Sequence, residues 1–287
     1  MTHVFIDGSA GTTGLRIADR LSERHDIALI TLSEALRKDE KARKNALNSA
    51  DIAFLCLPDA AATEAVGMVE NPHTVVIDTS TAHRVHPEFA YGFPEIGSLR
   101  EKIVSSHRIA NPGCHASGFI AAVAPLVERN LLKKDAFLTC FSITGYSGGG
   151  KKMIAEYEAD EKGAYAAPRQ YGLSGNHKHL PEMQTVCGLA VQPTFCPIVS
   201  DYYAGMEVTV SIAPNDSARP EEIAACYRDY YKSGLVHYAE NPSENGFLSA
   251  SALMGRDDME LSVFGNRDRI LLVARFDNLG KGASGAA

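Results

Sequence analysis

"HVFIDGSAGTTGLRIADRL", residues 3 to 21, joins a short apolar run to a helical pattern through three glycines, Gly8, Gly11 and Gly14. A strand, a glycine-rich turn and a helix start let the backbone approach a pyrophosphate, whose charge is met by the first N–H groups of the helix. The spacing is G-x-x-G-x-x-G rather than G-x-G-x-x-G, so the stretch alone also describes a plain tight turn between strand and helix. Its surroundings decide the matter. "IALITL", "DIAFLCLP", "AATEAVGMVE" and "TVVIDTS" continue the alternation of strand and helix patterns through the first hundred residues, which marks parallel strands joined by helical crossovers. The reading is an α/β fold that opens with a doubly wound, Rossmann-type nucleotide-binding domain. Gly8, Ser9, Gly11, Thr12, Thr13 and Gly14 form its phosphate loop.

The choice of dinucleotide rests on the end of the second strand, where an NAD protein usually offers a carboxylate to the ribose hydroxyls. Here the chain reads "LITLSEALRKDEKARK". Ser33, Arg37 and Lys38 suit a 2′-phosphate, while Glu34 is the one residue that argues for NAD. The basic cluster also fits a solvated helix face. NADP is the expected cofactor.

The nucleotide-binding domain is expected over residues 1–114. A helix follows, with Phe119, Ile120, Val123, Leu126 and Val127 on one face, and then a strand, "AFLTCFSITG". "MEVTVSIAP" alternates strictly, "LSVFGN" and "RILLVARFD" follow, and the helix "RPEEIAACYRDYYKSG" stands between them. That pattern predicts an α+β catalytic domain over 115–277 with a mixed or antiparallel sheet. The stretch from "SGGGKK" to "GNHKHLPEM" reads as an irregular, functional loop.

Bulk properties narrow the function. The chain has 287 residues, 45% of them hydrophobic, and a net charge of −7. No apolar run approaches the roughly 20 residues that span a bilayer, and the start lacks the pattern of a signal sequence. The absence of a basic stripe argues against nucleic acid. A cytoplasmic protein acting on a small molecule, with no membrane or nucleic-acid partner, is the expectation. Six cysteines without a C-x-x-C pair read as free thiols.

One of those thiols stands at a chemically favoured place. In "IANPGCHASGF" Cys114 follows Asn-Pro-Gly at a helix start, where unpaired N–H groups and the positive end of the macrodipole favour thiolate over thiol. Cys114 is a candidate nucleophile, and a small buried hydrophobe is the alternative. A nucleotide-binding domain next to such a thiol fits hydride chemistry on a covalently held acyl group. Thiolate attack on an acyl phosphate gives a thioester at the right oxidation level for reduction to an aldehyde. "NHKHLPEM" supplies His177 and His179, which in an extended segment point to one side. They are acid/base candidates. A metal pair competes, but no further ligand stands at suitable spacing, so no metal is expected. Glu182 is a candidate to orient one ring, or a plain surface carboxylate.

The motifs "GSAGTTG", "DTSTAHR", "YGFPEI", "ANPGCHASG", "GYSGGGKK", "GNHKHLPEM" and "DNLGKGASGAA", in this order and over essentially the whole chain, resemble the N-acetyl-gamma-glutamyl-phosphate reductase family in its shorter form. The wider relatives are the aspartate-semialdehyde and glyceraldehyde-phosphate dehydrogenases. The resemblance implies NADPH-dependent reduction of N-acetyl-glutamyl 5-phosphate to the 5-semialdehyde with release of phosphate, in arginine biosynthesis. It implies Cys114 as nucleophile, Asn111 beside the substrate, and Ser80 and Arg84 near the substrate phosphate. One histidine of the pair would be the acid/base group, His179 ahead of His177. The segment 278–287 would return to the nucleotide-binding domain, with Gly280, Lys281 and Gly282 beside the nicotinamide. Relatives of this kind are expected to carry the helix begun by "GASGAA" beyond Ala287. Two other readings stand beside this one: an aspartate-semialdehyde dehydrogenase or related acyl-phosphate reductase, and a non-catalytic NADP-binding sensor. A largely sheet-built second domain with an exposed face suits a homodimer or tetramer.

Overall fold

The computed structural model describes residues 1–213, 216–232 and 234–287. Pro214 and Ser233, near the ends of the strand and helix expected there, lie outside the described residues. The chain divides into two compact units. The first comprises residues 1–94, 98–112 and 283–287, and the second 95–97 and 113–282. The division falls at Pro112–Gly113 because Gly113 is the N-cap of the helix that carries Cys114 and packs with it. Residues 278–282 likewise group with the second unit, and only the last five residues with the first.

In the first unit β1 (Thr2–Asp7), β2 (Ile27–Ile30), β3 (Ile52–Leu55), β4 (Val75–Asp78), β5 (Ala90–Tyr91) and β6 (Arg108–Ala110) form one sheet. Their order is β2-β1-β3-β4-β6-β5, and every pairing is parallel. Helices α1 (Thr12–Ser22), α2 (Glu40–Ser49), α3 (Asp59–Met68) and α4 (Leu99–Ser105) connect the strands. Alternation along β1 fills both layers. Phe5 packs with Leu47, Leu55 and Val76 on one side, while Val4 and Ile6 pack with Ile17 and Phe54 on the other. The strand order reverses at β1, and the crevice at that point is where open α/β sheets bind ligands.

The second unit is built on a seven-stranded sheet. Its elements are α5 (Cys114–Glu128), β7 (Thr139–Gly145), α6 (Gly150–Glu158), β8 (Arg169–Gln170), α7 (Leu180–Cys187), β9 (Thr194–Ser200), β10 (Met206–Ile212), α8 (Pro220–Tyr230), β11 (Val236–Tyr238), β12 (Met259–Asn266) and β13 (Arg269–Phe276). The order is β11-β12-β13-β10-β7-β9-β8. The sheet is mixed, since β7–β9 and β11–β12 run parallel and the other pairs antiparallel. Along β10 the expected alternation holds, with Val208 and Val210 buried and Ser211 exposed.

Two expectations are corrected here. The helix α5 does not offer one apolar face: every residue from His115 to Val127 is buried. Small residues make this possible. A Cβ at Gly118 would come within 2.6 Å of Val208 and 2.8 Å of Phe276, so the helix sits close upon β10 and β13. The "SGGGKK" stretch is ordered as a 3-10 turn over Tyr146–Gly149 running into α6. Its positive-φ residue, Gly150, makes the joint between the two.

Candidate active site and nucleotide site

A cavity of about 340 Å³ in the first unit opens at the carboxyl ends of β1 and β2, lined by Gly8, Ser9, Ala10, Arg37, Lys38 and Arg43 among others. Its lining joins the turn after β1 to three basic side chains. Gly8 has φ +85°, and a Cβ there would overlap the Cys56 carbonyl oxygen. The N-cap of α1 is Gly11, with no capping side chain and no acidic residue in the first turn, so the helix start is open to an anion. Arg37 and Lys38 are exposed on a turn at the cavity's edge rather than on a helix, and Ser33 is not among the lining residues. Arg43 is the basic residue that sequence reasoning missed. Its guanidinium lies 3.0 Å from the buried Asp7 carboxylate and neutralises it next to the glycine turn.

Also in the first unit, Asp78 ends β4 fully buried. It accepts hydrogen bonds from the Ser80 N–H at 2.9 Å and the Ser80 hydroxyl at 2.7 Å, and lies 2.6 Å from His83 Nδ1. The Ser80 hydroxyl is therefore engaged as a donor within the protein. Arg84 donates from Nε to the Asn111 carbonyl at 3.0 Å and from Nη2 to the Thr79 carbonyl at 3.2 Å. The buried Asn111 side chain donates to the Ala283 carbonyl at 3.0 Å. Ser80, Arg84 and Asn111 thus form one hydrogen-bonded neighbourhood around the ends of β4 and β6.

In the second unit Cys114 is the first residue of α5, half-buried, after an N-cap glycine without a side chain to satisfy the helix end. Glu182 is not a surface carboxylate. It is buried, accepts the Gly113 N–H at 3.1 Å, and stands 3.9 Å from His179 Nε2. The histidine segment is a turn rather than a strand: the Leu180 N–H bonds the His177 carbonyl, and His179 has helical dihedrals as the N-cap of α7. The turn still brings the rings together, with centroids 4.7 Å apart. The His179 N–H donates to His177 Nδ1 at 3.2 Å. Gly282 lies close against Cys114, since a Cβ there would stand 3.0 Å from Cys114 Cβ. Lys281 is buried with its ammonium 2.6 Å from Glu95, and Gly280 lies against the Arg256 carbonyl. No group of three His, Cys, Asp and Glu among the described residues is disposed to hold a metal ion.

Two family models cover the chain. "Semialdehyde dehydrogenase, NAD binding domain" matches residues 3–106, and "Semialdehyde dehydrogenase, dimerisation domain" matches 114–278, beginning at Cys114. The N-acetyl-gamma-glutamyl-phosphate reductase of Burkholderia orbicola is 43% identical over 294 residues, which cover 99% of this chain and 94% of that protein. N-acetyl-gamma-glutamyl-phosphate reductase 2 of Pseudomonas putida is 44% identical over 296 residues, with the same coverage. The chain belongs to the N-acetyl-gamma-glutamyl-phosphate reductase family. Solved semialdehyde dehydrogenases share the fold of this reductase family. Aspartate semialdehyde dehydrogenase II of Vibrio cholerae, complexed with ASA, superposes with a TM-score of 0.77 at 14% identity, covering 100% of this chain and 96% of that one. The aspartate semialdehyde dehydrogenase of Candida albicans, solved with NADP, gives 0.71 at 14% identity over the same shares.

Beside the residues anticipated from the reductase motifs stand three others: His115, Ser142 and Tyr171. His115 follows the candidate nucleophile, and its ring centroid lies 5.9 Å from His177 and 5.6 Å from His179. Burial, aided by the charge on His177, pushes the His115 pKa down to about 3. An unfolded histidine binds its proton near pH 6.5. Between these values the unfolded chain carries one proton more, so the contribution is fully present above pH 6.5 and is lost as the pH falls toward 3. His115→Gln should remove one proton's share of the acid destabilisation, a slope of about 1.4 kcal/mol per pH unit between pH 6 and 4. Urea titrations of both proteins across that range check this, and equal slopes refute it.

Proposed function

We propose that the chain reduces N-acetyl-L-glutamyl 5-phosphate to N-acetyl-L-glutamate 5-semialdehyde and phosphate with NADPH, as a cytoplasmic, homo-oligomeric enzyme of arginine biosynthesis. Identity of 43–44% with N-acetyl-gamma-glutamyl-phosphate reductases over nearly the full length carries the reading. The half-buried thiol at the start of α5 supports it, since the next residue, His115, has its ring centroid 5.9 Å from that of His177 and 5.6 Å from that of His179. Cys114 attacks the acyl carbon, a C–S bond forms, the C–O bond to phosphate breaks, and the thioester remains on the chain. First-turn N–H groups of α5 stabilise the oxyanion. NADPH, when bound, would supply the hydride; as the acyl carbon reaches the aldehyde level the C–S bond breaks and its electron pair returns to Cys114 as thiolate. His179, beside Glu182, holds the proton exchanged with the substrate oxygen, and His177 fixes the turn by accepting the His179 N–H. Ser80, Arg84 and Asn111 are assigned to substrate, and Gly280, Lys281 and Gly282 to the cofactor side, Lys281 through its backbone since Glu95 holds its ammonium.

Among the described residues no helix is long and apolar enough to cross a membrane. The homo-oligomer is assigned to the second unit, whose sheet exposes Phe141 and Leu271 and whose family model is described as a dimerisation domain.

The reverse assay tests the proposal: NADPH should form from NADP and phosphate with N-acetylglutamate semialdehyde. Turnover of aspartate semialdehyde alone would refute the substrate. The cofactor is tested separately. Arg37 and Lys38 edge the cavity and suit a 2′-phosphate, but both are exposed and partly screened. Their double alanine variant should lower the NADPH/NADH preference about tenfold. An unchanged ratio would make the pair a solvated surface only.

A further inference from the structure

Ser142, His115 and Tyr171 come from β7, from the first turn of α5 and from the segment after β8. They share one chain of hydrogen bonds. Ser142 Oγ lies 2.6 Å from His115 Nδ1, and His115 Nε2 lies 2.7 Å from the Tyr171 hydroxyl. A neutral imidazole has one donor nitrogen and one acceptor nitrogen, so the chain has a direction. Ser142 sets it. The residue is wholly buried, and the His115 ring is the one partner its hydroxyl has among the described residues. If Nδ1 held the proton, the serine O–H would be buried without an acceptor, a state that folded proteins avoid. Serine therefore donates to Nδ1, the imidazole proton sits on Nε2, and Nε2–H donates to the phenol oxygen. Burial keeps the ring from taking a second proton.

The phenol oxygen accepts from His115 and retains its own O–H. No other group among the described residues lies within hydrogen-bond distance of it. The Tyr171 ring is 5.8 Å from that of His177. Burial pushes the phenol's pKa up, and charge on Cys114 pushes it further, so the phenol keeps its proton. We propose that Tyr171 is a catalytic residue whose O–H, aimed by the Ser142–His115 relay, donates to a carbonyl or carboxylate oxygen of the acyl substrate at Cys114. His115 is the positioning residue. The proposal rests on the reading of the chain as an acyl-phosphate reductase.

Two measurements test it. In long-range proton–nitrogen spectra of histidine-labelled protein, one imidazole, identified by its loss in His115→Gln, should show the neutral Nε2–H tautomer from pH 5 to 8. The other tautomer, or titration in that range, overturns the relay whatever the activity. In kinetics, Tyr171→Phe should lower kcat/KM about 10- to 100-fold, with NADP binding and the rate of Cys114 alkylation by iodoacetamide unchanged. His115→Phe should show the same loss. His115→Gln, whose amide accepts from Ser142 and donates to Tyr171, should restore most of it, whereas a purely structural role leaves the two variants alike. Full kcat/KM in Tyr171→Phe overturns the proposal and leaves the proposed reaction standing. If the wild-type protein does not turn over N-acetylglutamate semialdehyde, the reaction and the substrate role of Tyr171 fall together, and the spectra alone judge the relay.

Discussion

Cys114→Ala is expected to bring phosphate-dependent NADPH formation to the level of an enzyme-free blank while NADP still binds. The thioester route needs a nucleophile that leaves again, and alanine offers none. The residue starts α5, within a helix buried from His115 onward, so removing its sulfur leaves the helix in place. The glycine turn proposed to hold the phosphates, Gly8 to Gly14, belongs to the first unit and is untouched. Binding and chemistry should therefore separate. In the wild-type protein Cys114 should also alkylate fastest of the six thiols. Burial pushes Cys56 up to about 12 and raises Cys140, Cys187 and Cys226 as well, and the thiolate is the reactive form. Titrating NADP by calorimetry and following NADPH by its absorbance reads both halves. An alanine variant that still turns over at an undiminished rate would show that the reaction has no covalent step.

His179→Asn should reduce turnover by roughly 10² to 10⁴ with a smaller change in KM, the range for loss of a general acid/base. Its buried ring stands beside the Glu182 carboxylate, which can hold an imidazolium formed during the reaction. His177→Asn should cost less. Its Nδ1 already accepts the His179 N–H, and asparagine can replace that acceptor through its carbonyl oxygen. Steady-state kinetics of the two variants decide the order. A deeper defect in His177→Asn would reverse the assignment.

The local motifs were legible because their physics is local. A glycine turn between a strand and a helix, and a cysteine at a helix start, need only neighbours in the chain to be recognised. The two histidines meet through a turn and not through the extended segment that their spacing suggests. A two-residue separation can meet in either geometry. His115, Ser142 and Tyr171 had no signal at all, because only the packing of α5 on β7 and the segment after β8 joins positions that lie 27 and 56 residues from His115. Arg43 was hidden for a similar reason. In a run of charged residues nothing in the sequence distinguishes the arginine that folds back onto Asp7 from those that face water. The "SGGGKK" stretch folds as a turn and helix against glycine's weak helix propensity because tertiary contacts hold its start: the Ser147 N–H donates to the Tyr203 carbonyl at 3.0 Å, and the buried Ser147 hydroxyl accepts from Asn278 at 3.0 Å.

The close seating of α5 on its sheet has a consequence for how the protein loses its structure. Local opening begins where few apolar contacts hold a segment, and the last amides to exchange with solvent are those in fully enclosed elements. α5 has no solvent face between His115 and Val127, and Gly118 lets it lie where even a methyl group would collide with Val208. The sulfur proposed as nucleophile is thus mounted on a part of its unit that should be among the last to open. Fraying at loops and chain ends can proceed without displacing it. Hydrogen exchange at the α5 amides should follow the cooperative unfolding of the second unit rather than precede it.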